Sequence, residues 1–154
     1  MIIIRVMGGL GNQMYQYALY KKLKSLGKNV KLDITIYKNK VQLEAMRPFE
    51  LDVFQNLDME FASEKEVRKV CKKAKNIYVE ELLRRLFGNR NNIFYENENG
   101  YVNEEIYEFE DKYLSGYWQN VAYFADIKKE LIYNFVFKPS KKKINKWLEQ
   151  EIIN

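Results

Sequence analysis

With 154 residues, 47% apolar and 31% charged, the sequence has the size and balance of one folded domain; it excludes a disordered chain and leaves no room for two ordinary domains. The formal charge of +5 suits a phosphate-bearing partner or an anionic membrane surface without choosing between them. Having no histidine and a single cysteine, Cys71, the chain excludes Ser-His-Asp and Cys-His triads, an internal disulfide and a thiolate metal cluster. Cys71 reads as a semi-buried bystander. No apolar run reaches the ~20 residues of a membrane span, and the cytoplasm is the expected compartment.

Ile2 to Val6 is a short β-branched apolar run bounded by glycine, the pattern of a buried strand in a parallel sheet. A helix is expected from Gln13, with Tyr15, Ala18, Leu19, Leu23 and Leu26 on its apolar face and Gly27 as its stop. Asn29 to Asp33 alternates as a second strand, so the first third reads as a right-handed βαβ unit. Ile34 to Asp58 lacks steady periodicity and contains Pro48, which predicts a long structured loop.

Ser63 with Glu66 forms a capping box for a helix through about Lys75, and a second helical pattern runs from Val79 to Phe87. The polar run "YENENGYVNEE" is loop-like. "KYLSGYW" regains strand character, and an amphipathic helix is expected from about Val121 to Tyr133. Ser140 opens a last helix with Trp147, Leu148, Ile152 and Ile153 on its apolar stripe. That helix lacks a cap, a turn and a returning strand, so the sequence reads as cut short of a further domain.

The chemistry concentrates in "GGLGNQM", where Gly8, Gly9 and Gly11 stand between a strand and a helix. Such a turn feeds a helix N-terminus, which attracts anions. Gly9 and Gly11 supply two glycines of the dinucleotide fingerprint G-x-G-x-x-G, Met14 replaces the third, and Asp33 lies at about the expected distance for a ribose contact. No G-K-[ST] follows, which excludes a P-loop. Asn12 and Gln13 add adjacent amides suited to sugar hydroxyls or phosphate oxygens, or Asn12 simply caps the helix.

The segment "GGLGNQMYQYALYKKL" resembles the opening signature of the family 11 glycosyltransferases, the α-1,2-fucosyltransferases. Gly8 to Met14 and Gln16 to Ala18 agree with it, and Tyr15 stands where phenylalanine is usual. "RPFELDVF", from Arg47 to Phe54, and "YLSGYWQNVAYF", from Tyr113 to Phe124, are similar to the same family in order and spacing. The resemblance implies the N-terminal, acceptor-side domain of a GT-B enzyme, with a Rossmann-like α/β fold of parallel sheet and flanking helices. It implies inverting, metal-independent transfer of L-fucose from GDP-fucose, without a cofactor, to the 2-hydroxyl of a galactoside. The family's His-x-Arg-Arg-Gly-Asp segment is absent, since "RR" occurs only at Arg84 and Arg85, before Leu86. The donor-binding C-terminal domain is therefore expected to be missing, and the fragment alone inactive.

On this reading Gly9 and Gly11 let the backbone approach the sugar nucleotide, while Asn12 and Gln13 hydrogen-bond it or the acceptor. Tyr117, Trp118 and Gln119 offer a sugar platform, with burial of Trp118 in the sheet as the competing assignment. The general base is unassigned among Asp33, Glu44, Glu50, Asp52 and the missing half. Arg47 either meets a phosphate or anchors its loop to Glu50. "KPSKKK" is a solvated helix start or a peripheral contact with anionic lipid at the inner membrane face. Two other classes stay open: a dinucleotide-dependent enzyme resting on Gly9, Gly11 and Asp33, and a nucleic-acid-binding module resting on charge and aromatics alone. The second is weaker, because the lysines are scattered through helices.

Overall fold

A computed structural model describes residues 1–38, 47–71, 92–97 and 101–139. Four strands, β1 (Ile2–Arg5), β2 (Val30–Asp33), β3 (Ile93–Tyr95) and β4 (Lys112–Ser115), form one all-parallel sheet in the order β2-β1-β4-β3. The central strand β1 pairs on both sides, Ile4 standing opposite Leu32 and Leu114. Its neighbours explain its composition. Ile2, Ile3 and Ile4 are all fully buried, because helices cover both faces of the sheet.

The pleat sorts the side chains. Ile2, Ile4, Leu32 and Leu114 pack against helix α1 (Leu10–Ser25) and the segment 121–134, whereas Ile3 and Tyr113 meet Ala62, Val70 and Cys71 on the face of helix α2 (Glu64–Val70). This is a Rossmann-like α/β arrangement. Among the described residues no helix is long and apolar enough to cross a membrane.

Three local departures from the sequence pattern have physical causes. Helix α1 starts at Leu10, three residues before its periodicity begins, with Gly9 as the N-cap and Asn12 inside the first turn. No side chain at the N-cap position caps it; instead the Glu50 carboxylate accepts from the Leu10 N–H at 3.0 Å. Its far end closes as expected around Gly27, whose N–H bonds Lys24 O while the Lys28 N–H bonds Leu23 O. Second, β3 arises just before and within the polar run read as loop. Third, the helix expected from Val121 to Tyr133 is a 3-10 stretch Val121–Ile127, itself kinked at Phe124 (φ −144°, ψ 25°), followed by helix α3 (Lys128–Asn134). The break sends neighbouring side chains to different partners, Tyr123 to Trp118 and Phe124 to Tyr15.

The loop after β2 contains 3-10 turns at Thr35–Lys38 and Leu51–Val53. The capping box at Ser63 and Glu66 is present in full. Glu44, the end of the helix toward Lys75, the Val79–Phe87 pattern with Arg84 and Arg85, and the last helix from Ser140 lie outside the described residues.

Candidate functional site

The carboxyl ends of β1 and β4 bring the quoted segments together. Gly8, directly after β1, has φ +79°, and a Cβ there would stand 2.4 Å from the Asn12 amide nitrogen. Only glycine fits without displacing Asn12. Gly9 is an ordinary extended N-cap, and a Cβ on Gly11 would meet nothing within 4 Å.

Gln13 is fully buried and its amide is taken on both sides. Its Nε2 donates to Gly8 O and Pro48 O, both at 2.8 Å, and its Oε1 accepts from the Glu50 N–H at 2.8 Å. Gln13 thereby holds the 47–54 loop against the glycine turn. Glu50 is then placed to receive the Leu10 N–H, so a carboxylate sits where a helix N-terminus would otherwise attract an anion. Tyr37 donates to Gly8 O at 3.3 Å; burial, reinforced by the Glu50 charge and opposed by Arg5, pushes its phenol up to about 12.

A second buried amide joins the two strand ends. Gln16 accepts from the Met7 N–H and donates to Gly116 O, each at 3.0 Å. After Gly116 the chain turns sharply, and Trp118 holds φ +57°, rare for a bulky residue. Glu96 clamps this turn, one carboxylate oxygen accepting from the N–H groups of Tyr117 (2.7 Å) and Trp118 (2.8 Å). The Trp118 ring is fully buried, stacked on Phe94 and edge-on to Tyr123, with its indole N–H unpartnered. Tyr117 is turned outward, and the Gln119 amide donates to Asn12 Oδ1 at 2.6 Å.

Asn12 and Gln119 therefore meet at the rim, with Tyr117 alongside, whereas Gln13 and Trp118 form the supporting layer beneath. A cleft of about 450 Å³ opens here, lined by Met7, Glu96, Ser115, Tyr117, Gln119 and Asn120. It lies at the carboxyl edge of the parallel strands, where ligands of open α/β sheets bind. Gly9 packs near Arg47 Cγ, and Arg47 is exposed. The anchor from Arg47 to Glu50 is not formed among the described residues, because the Glu50 carboxylate points to Leu10 instead.

Of the carboxylates considered as bases, Asp33 is 4% exposed and accepts from the Tyr113 hydroxyl (2.7 Å) and the Thr35 N–H (2.8 Å). Burial and that bond raise the Tyr113 phenol far above its ordinary value. Asp52 is exposed. Gln16 and Glu96 are structural members of the site that the spacing did not single out as such. Gln16 stands inside the quoted signature, but Glu96 has no signal beyond its place in a polar run. Among the described residues no group of three or more acidic or cysteine side chains is positioned to hold a metal ion.

In comparisons with known proteins, no family model matches the chain, and neither a curated protein nor a solved structure is significantly similar to it. The class that the geometry defines is an all-parallel α/β domain with a cleft at its carboxyl edge.

Proposed function

We propose that the chain is the acceptor-side domain of an α-1,2-fucosyltransferase of the GT-B kind, using GDP-fucose and a galactoside. One observation carries this reading. The three segments that resemble family 11 are stitched to one another by hydrogen bonds around the end of β1: Gln13 to Pro48 and Glu50, Gln16 to Gly116, and Asn12 to Gln119. Residues far apart in sequence that share a signature and are also joined at one end of the sheet fit a common site.

Within that reading, Gln119 and Tyr117 line the cleft and touch sugar with Asn12 beside Gln119 at the rim, while Gln13, Gln16 and Glu96 position them. Fucosyl transfer leaves a diphosphate whose charge needs cations, and the described residues that line the cleft include none. The donor domain is the place for them. The dinucleotide alternative is less well supported, since a pyrophosphate on the α1 N-terminus would meet the Glu50 carboxylate.

The test is transfer of fucose from GDP-fucose to lactose, read as trisaccharide mass, by the chain alone and by the chain joined to the donor domain of a family 11 enzyme. The chain alone is expected to be inactive. The joined form is expected to act, and Asn12→Ala to lower its rate by ~10²–10³. Absence of transfer in a folded joined form that binds neither substrate sinks the proposal.

A further inference from the structure

A second cavity, of about 400 Å³, opens on the α2 face of the same sheet edge and shares Tyr95 and Ser115 with the first. Its volume lies in the ~300–1,000 Å³ range of small-molecule sites. The strand register builds its wall: Arg5 of β1 stands opposite Asp33 of β2, and Tyr113 and Ser115 of β4 project on the same face.

The polar groups are unevenly matched. The Arg5 guanidinium makes no ion pair or hydrogen bond among the described residues, although Arg5 is half-buried and close enough to Tyr37 and Tyr113 to oppose the rise in their pKa values. The Ser115 hydroxyl, in a residue 7% exposed, likewise has no hydrogen bond to another described residue. Asp33 accepts one bond at each oxygen, which leaves acceptor capacity on both.

The charges decide the ligand class. An anion drawn to Arg5 would meet the Asp33 carboxylate a strand away, and a cation drawn to Asp33 would meet the guanidinium. A neutral polyol offends neither, because each hydroxyl accepts from Arg5 or Ser115 and donates to Asp33. The Tyr95 ring, largely exposed at the junction of the two cavities, adds an apolar face of the kind that pyranose rings stack on.

We infer that this cavity is a neutral pyranose site, holding a second ring of the saccharide whose first ring occupies the cleft beside Asn12 and Gln119. The link between the two rings rests on the sugar-transfer reading, whereas pyranose binding at Arg5 does not. The acceptor is then at least a disaccharide, read along the sheet edge from β4 toward β2.

The experiment is nitrogen-15 NMR of the 154-residue chain, following the Arg5 Nε–H and the side-chain amides of Asn12 and Gln119. Lactose and methyl β-galactoside are the sugar probes; inorganic phosphate and glycine are the charged ones. Saturable lactose-dependent shifts are expected at all three side chains, with the Arg5 shift abolished in Arg5→Met. Ser115→Ala, whose fold rests on no bond from that hydroxyl, is expected to weaken lactose binding about three- to tenfold. Lactose shifts confined to Asn12 and Gln119, unaffected by either variant, overturn the inference and leave the proposed function standing. Shifts of Arg5 by phosphate or glycine but by neither sugar also overturn it, as does an unmoved Arg5 signal at saturating lactose. Sugar binding at Arg5 in a joined enzyme that transfers no fucose would instead retain the site and remove the proposed reaction.

Discussion

Gly8 and Gly11 stand three residues apart in one loop under opposite constraints. Gly8→Ala forces a left-handed φ of +79° on a Cβ that collides with the Asn12 amide, so a loss of about 1–3 kcal/mol is expected in chemical denaturation. Gly11→Ala meets open space within a helix and is expected to be neutral or to stabilise by up to ~1 kcal/mol. Loss of the proposed transfer in a fully stable Gly11→Ala form of the joined enzyme would therefore report a ligand approaching from outside. The two adjacent amides part in the same way. Gln13→Ala removes the partner of the Glu50 N–H and of the Pro48 O and leaves Gly8 O to the Tyr37 hydroxyl, at ~1–3 kcal/mol for each group that water cannot reach. Asn12→Ala gives up one exposed contact with Gln119, so its effect is expected on the proposed transfer and hardly on stability. The sequence marks both amides alike; only the fold separates the one that meets Gln119 at the rim from the one that faces the loop.

At the scale of elements, the β1-α1-β2 unit is legible because its periodicities agree with its caps, whereas β3 is three residues long and merges into polar sequence. The break at Phe124 is also illegible, since the pattern from Val121 to Tyr133 satisfies a helix and only the packing of Tyr123 and Phe124 on different partners divides it. Helix α2 illustrates the legible case and gives a pH prediction. Glu66 accepts from Lys31 Nζ at 2.6 Å and from Ser63, and these bonds, the Lys31 one foremost, hold its carboxyl down to about 2. A folded-state pKa below the ordinary 4.5 means that the stabilisation is complete above 4.5 and is lost as pH falls toward 2. Thermal melts from pH 7 to 2 are expected to steepen in that window, and Glu66→Gln to flatten it. Ser63→Ala, which removes the N-cap, is expected to cost about 1 kcal/mol at neutral pH. Unchanged melts in both variants would mean that α2 is held by Val70 and its apolar neighbours alone.

Across the molecule, the cleft exists because two strand ends with nothing adjacent in sequence are held at a fixed separation. Surface ion pairs such as Lys22–Asp126 and Lys21–Glu130 tie α1 to the segment after β4, but exposed pairs contribute ~0–1 kcal/mol each. The buried bridge is Gln16, whose amide alone spans from Met7 to Gly116. Its role could not be read from the sequence, where it is one polar residue on an otherwise apolar helix face. Gln16→Leu preserves volume and helix propensity while leaving the Met7 N–H and Gly116 O unpaired, which places the expected loss at ~2–4 kcal/mol. For a chain of this size that is a fall in Tm of roughly 5–15 °C. Hydrogen exchange separates a general loosening from the specific one argued here: the Met7 amide is expected to lose its protection first, while Ile4 and Leu114 inside the sheet keep theirs. Asn12 and Gln119, which meet across the β1 end and the β4 turn that Gln16 joins, are then expected to lose their 2.6 Å contact, seen as loss of the Gln119 side-chain amide's downfield shift. Uniform loss of protection across β1 and β4, with the Asn12 and Gln119 signals unmoved, would show that Gln16 supports the core and leaves the geometry of the cleft to Glu96.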